Sequence, residues 1–328
     1  MPSLSPALVM RARMAAPLVA SGTVVVTLVT CLVLTKSRHI YTGGLHWPYF
    51  SDMGRDSPGY YIFCVGLTVT ALALAYTWVS NFEFQRAVLG RPILLGQVTR
   101  ATLRWASACM VLGAVSTIGL PVLAFFSTSS YPTVHNYAAY WFFFLETVAV
   151  FINTTVSSKI YRSMRTTRDS GVFTNNGLPA DPGMPADDAH AARVASVWRT
   201  FLIQAVFTAL FFVAFLLYLP IGLAVVKDFE HLTIADCLER GYGEKYCTDT
   251  MRKNDTETKL WNYEDDFSAS QMRAAAQLGC ILTLVGYSVS FLSHDFAREV
   301  DKPRDTTRNQ VPSTHFYTIP VLNSPSSE

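Results

Sequence analysis

Long apolar runs alternate with short polar linkers along this chain, and the runs are too long for the core elements of a soluble domain. A helix needs about 20 mostly apolar residues to cross a bilayer. Six stretches come close to or exceed that length: Leu18–Thr35, Tyr60–Val79, Trp105–Phe126, Tyr137–Val156, Phe201–Val226 and Ala274–Leu292. They predict an all-α polytopic membrane protein with six transmembrane helices in one bundle. The first run follows Arg11 and Arg13, as the core of a signal peptide would. Such cores are only about 7–15 residues long, and no small-x-small cleavage site follows, so the run is expected to remain as a span.

The linkers divide the chain further. Residues 1–17 read as a cytosolic N-terminus, 18–296 as the membrane domain and 297–328 as an unstructured cytosolic tail. The stretch 169–190 (DSGVFTNNGLPADPGMPADDAH) is too poor in apolar residues to offset the entropy of ordering it and is expected to be disordered. The linkers 37–59 and 227–271 fall on the outer side, and the second, with Trp261, Tyr263 and Phe267 near its end, has the aromatic content of a small cap.

Composition supports a membrane protein. The chain is 50% hydrophobic and 15% charged, against about 25% charged in typical soluble domains. A net charge of +2 points to no nucleic-acid partner. Of the 26 Lys and Arg residues, 16 fall on the side of the N-terminus and 9 on the other, with Arg273 at the border. This bias predicts cytosolic termini. In the outer linker 227–271, Cys237 and Cys247 are placed for a disulfide in an oxidising lumen. Asn254-Asp-Thr256 there is a glycosylation sequon, whereas Asn153-Thr-Thr155 lies inside the fourth span and is expected to be inert.

Nucleotide-binding glycine loops, HExxH, paired CxxC and GxSxG are all absent from the sequence, and no cofactor or metal is expected. Polar residues at unusual depth remain. A carboxylate near mid-span, as at Glu146, costs roughly 2.5 kcal/mol or more and faces a partner or a wet cavity. His135 and Asn153 project within about 20° of Glu146 on a helix, forming one polar stripe. The stripe reads either as a cavity that binds a head group or relays protons, or as interhelical glue. In the second reading Glu146 is protonated or bonded to Gln204 or Gln277.

The linker between the first two spans carries the densest chemistry, HWPYFSDMGRDSPGYYIF from His46. Trp47 and Tyr49 suit the bilayer interface. Pro48 stiffens the chain, Gly54 permits a positive-φ turn, and Asp52 suits an Asx turn onto its own downstream amides. Arg55 pairs with Asp52 or Asp56, or forks onto a lipid phosphate. His46, Asp52 and Asp56 are residue types for acid–base work. The loop therefore reads as a rigid plug at the interface, with head-group contact as its candidate function.

The run PYFSDMGRDSP just before the second span resembles the signature loop of the FRAG/DRAM/SFK-like family, a PYISDxG motif with a proline a few residues on. Pro48, Tyr49, Ser51, Asp52, Gly54 and Pro58 match, and Phe50 stands where Ile is usual. His135 is similar to a histidine common in the family. Ala274–Phe296 looks like its sixth helix, with Gln277 where many members carry an acidic residue. The resemblance implies a non-catalytic membrane protein that supports GPI-anchor lipid remodelling or phosphoinositide homeostasis. Its implied partners are membrane lipids and a lipid-modifying enzyme or kinase complex. The family's other branch implies an autophagy or lysosome modulator. A membrane-embedded lipid-modifying enzyme and a transporter or channel subunit are alternatives from other classes. The family spans Golgi, ER, plasma membrane and lysosome, so the resemblance implies no single compartment.

Overall fold

The computed structural model describes residues 5–90, 100–169, 186–225 and 230–294. Among them, six helices are long and apolar enough to cross a membrane. The first is α1 (Pro6–Ser37), capped by the Ser5 hydroxyl at the Leu8 amide. A short helix α2 (Phe50–Met53) lies in the linker before α3 (Gly59–Leu89). The third span is broken into α4 (Arg100–Ser116) and α5 (Gly119–Phe125). Pro121 has no N–H to continue the first segment's ladder. Gly119 lets the break press on its neighbour, since a Cβ there would lie 2.6 Å from the Ala138 carbonyl.

The fourth span is α6 (Pro132–Asp169), and the fifth is α7 (Ala186–Tyr218) with a short continuation α8 (Pro220–Val225) past the Leu219–Pro220 break. The sixth is α10 (Phe267–Val289), which ends in a tighter turn over Ser290–Ser293. The spans form a closed ring in which α1 packs on α3, α3 on α4, α4 on α6, α6 on α7, α7 on α10 and α10 on α1. The α10–α1 seam is the loosest of the six. Ring closure places the inward faces of α1, α3, α6 and α10 around a common axis.

Between α8 and α10 the chain folds a small cap. β1 (Glu230–Thr233) pairs antiparallel with β2 (Glu257–Asn262), with Glu230 opposite Asn262 and Thr233 opposite Glu257. The helix α9 (Ile234–Glu239) starts at the Thr233 hydroxyl, which accepts from the Asp236 amide. Cys237 on α9 is disulfide-bonded to Cys247 on a wide turn at Tyr246–Thr250. Both cysteines are fully buried in a separate apolar cluster with Tyr41, Leu232, Met251 and Leu260. Cys31, Cys64, Cys109 and Cys280 are buried thiols.

The structure revises several expected boundaries. α6 runs to Asp169 and α7 starts at Ala186, so both ends of the stretch expected to be disordered are helical, while 170–185 lie outside the described residues. The expected linker after the second span is also helical at its start, because α3 continues to Leu89. Residues 295–328 lie outside the described residues. α10 begins at Phe267 rather than Ala274, so Gln277 sits about three turns inside the helix rather than one.

The two sequons differ sharply in setting. Asn153 is fully buried between helices. Asn254 is exposed on the cap, where its side-chain oxygen accepts from the Thr256 and Glu257 amides at 2.9 and 2.7 Å. Expressed in cells that glycosylate, the protein is expected to lose one glycan-sized mass on Asn254→Gln and none on Asn153→Gln, read by gel shift before and after endoglycosidase treatment.

Candidate functional site: a polar vestibule above an apolar slot

The signature loop is folded into the cap end of the bundle rather than laid on the interface. α2 enters the ring and is pinned there by α10. The Phe50 amide donates to Gln277 Oε1 at 2.9 Å, and Gln277 Nε2 donates to the Tyr218 hydroxyl at 3.2 Å. One turn and a half earlier on α10, Gln271 clamps the loop's entry. Its Oε1 accepts from the His46 and Trp47 amides at 2.8 and 3.2 Å, and its Nε2 donates to the Trp47 carbonyl at 3.1 Å. The Phe50 ring packs edge-on against Phe63. Of the run's aromatics, Trp47 and Tyr61 keep the exposure expected of interface residues, while Tyr49 and Phe50 are buried.

Three expectations about this loop are corrected. Asp52 does not hold an Asx turn. Its carboxylate is 2% exposed and spans two other elements, accepting from the Thr128 hydroxyl at 3.5 Å and the Tyr263 hydroxyl at 3.3 Å. Gly54 has φ −95°, so it is not there for a positive-φ turn. Glycine is needed because a Cβ would run into the Phe63 ring; the positive-φ glycines of this linker are Gly43 and Gly44. For Arg55 the expected pairing with Asp56 holds and the fork onto a lipid phosphate does not. Arg55 is buried, donates to the Tyr41 carbonyl at 2.8 Å and pairs with Asp56 at 3.0 Å. Tyr246, on the disulfide turn, donates to the same Asp56 carboxylate at 2.9 Å. Arg55 is thus the internal tie between loop and cap, and no face of it is presented to a lipid phosphate. Burial pushes the Asp52 carboxyl above the usual carboxylate range, against the pull of Arg55 and of its two hydroxyl donors.

Beside the plug lies a vestibule of about 280 Å³. Asp52, Tyr49, Tyr263, Trp261, Arg273 and His135 are among the residues that line it. Arg273 is held by its Nε at the Tyr218 carbonyl, 3.1 Å away, and lies over the Tyr49 and Tyr218 rings at 5.8 and 5.4 Å. Beneath the vestibule a narrow slot of about 70 Å³ runs down the ring axis. Its walls are mostly apolar, with Leu67, Phe142, Phe143, Ile281 and Leu284 among them. Ser51, His135, Ala139 and Gln277 line both spaces, so the two meet at that level.

His135 stands at this junction. Its Nδ1 lies 2.7 Å from the Leu123 carbonyl and 2.9 Å from the Phe126 carbonyl. Carbonyls only accept, so Nδ1 carries the proton, and in the neutral ring Nε2 is left as an acceptor.

The polar stripe of α6 faces inward as expected but does not line one cavity. Glu146 is bonded neither to Gln204 nor to Gln277. Trp78 Nε1 donates to Oε1 at 3.1 Å, and the Ser116 hydroxyl is 2.5 Å from Oε2. That same hydroxyl lies 2.7 Å from the Gly113 carbonyl. One hydroxyl proton serves both contacts only if Glu146 brings its own. Two turns on, Asn153 accepts from Asn81 and Gln85 at 2.7 Å each and donates to the Tyr287 hydroxyl at 2.6 Å. His135, Glu146 and Asn153 are therefore three separate polar stations, and the last two have the geometry of interhelical glue. Among the described residues no group of acidic, histidine and cysteine side chains is placed to hold a metal.

Gln271 and Arg273 were not singled out as site residues by sequence reasoning, because α10 extends beyond its apolar run, and Tyr218 carries no signal within the apolar run of the fifth span. Trp78, Asn81 and Gln85 carried a visible signal, a 3–4 spacing that puts them on one helical face. It goes unread when the second span is ended at Val79.

A ring of six spans around a polar vestibule and an apolar slot defines an integral membrane protein of the helical-bundle class. The chain belongs to the family described as the Frag1/DRAM/Sfk1/Cwh43P N-terminal domain, whose model matches residues 12–299. It matches no curated protein and no solved structure.

Two substitution pairs test these assignments by thermal unfolding in detergent micelles. Asp52→Asn keeps hydrogen-bonding capacity and removes the charge. Because burial raises the folded-state value, the wild type loses stability as pH rises from the unfolded carboxylate range of about 4 towards that value. Asp52→Asn is expected to abolish this loss, and Arg55→Ala to cost about 3 kcal/mol by leaving Asp56 without its cation. Glu146→Gln is expected to be mild and Glu146→Leu to cost about 2 kcal/mol, since leucine leaves the buried Trp78 N–H unpaired while Ser116 keeps only the Gly113 carbonyl. Loss of function in Glu146→Gln at normal abundance would overturn the glue assignment.

Proposed function

We propose that this protein handles lipid inside the membrane without chemically altering it, the head group in the vestibule and an acyl chain in the slot. The observation that carries the reading is the junction at Ser51, His135, Ala139 and Gln277, which joins a polar chamber to an apolar one along the bundle axis. That arrangement has the polarity profile of an amphiphile. The vestibule offers a cation at Arg273, a carboxyl at Asp52, an acceptor at His135 and the faces of Trp261 and Tyr263, which together suit a head group rich in hydroxyls and phosphate. Ligand sites of this kind are mostly apolar with few fixed polar groups. The mostly apolar slot offers no aqueous route across the bundle, which argues against transport. Support of GPI-anchor remodelling or phosphoinositide homeostasis, in concert with a lipid-modifying enzyme or kinase complex, is the cellular role consistent with such a site. If the charge bias sets the orientation, the vestibule opens on the outer leaflet.

One observation favours an enzyme as the second reading: the Asp52 carboxyl and the His135 ring line the same chamber. A single experiment separates the two. The full chain in nanodiscs is loaded with a phospholipid carrying a diazirine on one chain and illuminated. Crosslinks are expected on Leu67, Phe142 and Leu284, falling at least fivefold in Ala139→Trp, with the unreacted lipid recovered intact. Crosslinks confined to outward-facing residues such as Val26, Leu72 and Leu282 would refute lipid binding in the slot. Recovery of a cleaved or exchanged lipid, lost in Asp52→Asn, would move the assignment to catalysis.

A further inference from the structure

The slot is polar at both ends. On α10 its lining residues are Gln277, Ile281, Leu284, Val285 and Ser288. Eleven residues separate Gln277 from Ser288, which brings them to within about 20° of each other on the helix and about 16 Å apart along it. One face of one helix thus carries a polar group, an apolar stretch and a second polar group, all turned to the same space. Two neighbouring helices bring further hydroxyls to the slot. Ser21 of α1 and Thr70 of α3 line the slot, and α1 and α3 run antiparallel with Thr27 against Gly66, which sets Ser21 and Thr70 within about a turn of each other.

Six buried hydroxyls of the spans and their ends, those of Ser21, Thr35, Thr70, Ser80, Ser270 and Ser290, lack a partner among the described residues, and of these Ser21 and Thr70 line the slot. Thr27, Thr68, Thr77, Thr147, Thr155 and Thr283 each donate to the carbonyl four residues back, the usual way a hydroxyl is satisfied inside a bilayer helix. Ser21 and Thr70 are buried, yet their hydroxyls have no hydrogen-bond partner among the described residues. A buried unmet hydroxyl is costly, and a plain hydrocarbon chain in the slot would leave both unmet.

We propose that the slot binds an amphiphile with a hydrogen-bonding group at each end of an apolar body roughly 16 Å long. One end is held at Gln277, Ser51 and His135, and the other at Ser21, Thr70 and Ser288. This rests on the slot being a lipid-chain site and adds a selection that the chain reading lacks. The α10–α1 seam, the loosest in the ring, joins the helices that carry Ser288 and Ser21 and provides the lateral entry.

The test compares ω-hydroxymyristate with myristate as competitors of a diazirine fatty acid for slot labelling, using the full chain in nanodiscs. The hydroxylated chain is expected to compete about tenfold better, the scale of one well-made hydrogen bond. In the near-isosteric double variant Ser21→Ala/Thr70→Val the preference should fall to about one, with labelling by the parent chain retained. If that variant fails to fold, Thr70→Val alone is expected to lose most of the preference. Equal competition by the two chains in the wild type, or a preference that survives in the variants, would overturn the two-ended site while leaving the single-chain reading intact. Absence of slot labelling under every condition would overturn both.

Discussion

The hydrogen bond from the Phe50 amide to the Gln277 side chain is the contact on which the cap end of the molecule depends. It fixes α2 inside the ring of spans. The plug's position shapes the upper part of the slot, because Phe50 and Ser51 line it, and sets one wall of the vestibule, because Tyr49 and Asp52 line that. The cap is then referenced to the plug through Tyr263 on Asp52 and Tyr246 on Asp56. A glutamine suits this position well. Its amide accepts from the plug and donates to Tyr218 at once, and it does so without a charge that the bundle interior would have to compensate.

Below that level, stability and specificity are divided among small polar stations. Trp78 and Ser116 receive Glu146; Asn81, Gln85 and Tyr287 receive Asn153. Each involves at least two helices besides α6, so each fixes a register that lipid-like apolar packing alone leaves loose. The stations lie between α6 and its neighbours, outside the slot, so the slot stays apolar while the bundle around it is rigidly keyed. At the far end of α1, Arg13 pairs with Glu83 of α3 at 2.6 Å and keys the same two helices again.

The spans were legible because a bilayer imposes a length and a composition that few other structures share. The family likeness was legible because PYFSDMGRDSP is a dense local pattern. The pairing of Cys237 with Cys247 was legible because the outer linker holds only these two. What stayed hidden was depth. α10 starts a full two turns before its apolar run, so Gln271 and Arg273 read as linker and border residues and Gln277 as only one turn deep, when they are the clamp and wall of the site. The burial of Arg55 and Asp52 could not be read because the groups that hold them, the Tyr41 carbonyl and the Thr128 and Tyr263 hydroxyls, carry no charge. The slot itself has no motif. It exists only where the apolar faces of α1, α3, α6 and α10 converge, and only side-chain volumes after ring closure determine that space.

The cap-end architecture also has a consequence for biogenesis. A chain is made and inserted from its N-terminus, so α1 and α3 reach the membrane with His46–Asp56 strung between them. Nearly every group that holds that stretch comes afterwards: Thr128, Tyr246, Tyr263, Gln271 and Gln277. Until α10 arrives, Asp52 and Arg55 wait in water and the top of the nascent bundle is open. The most distinctive motif of the protein is therefore seated late, and its seating is the structural mark of a completed bundle.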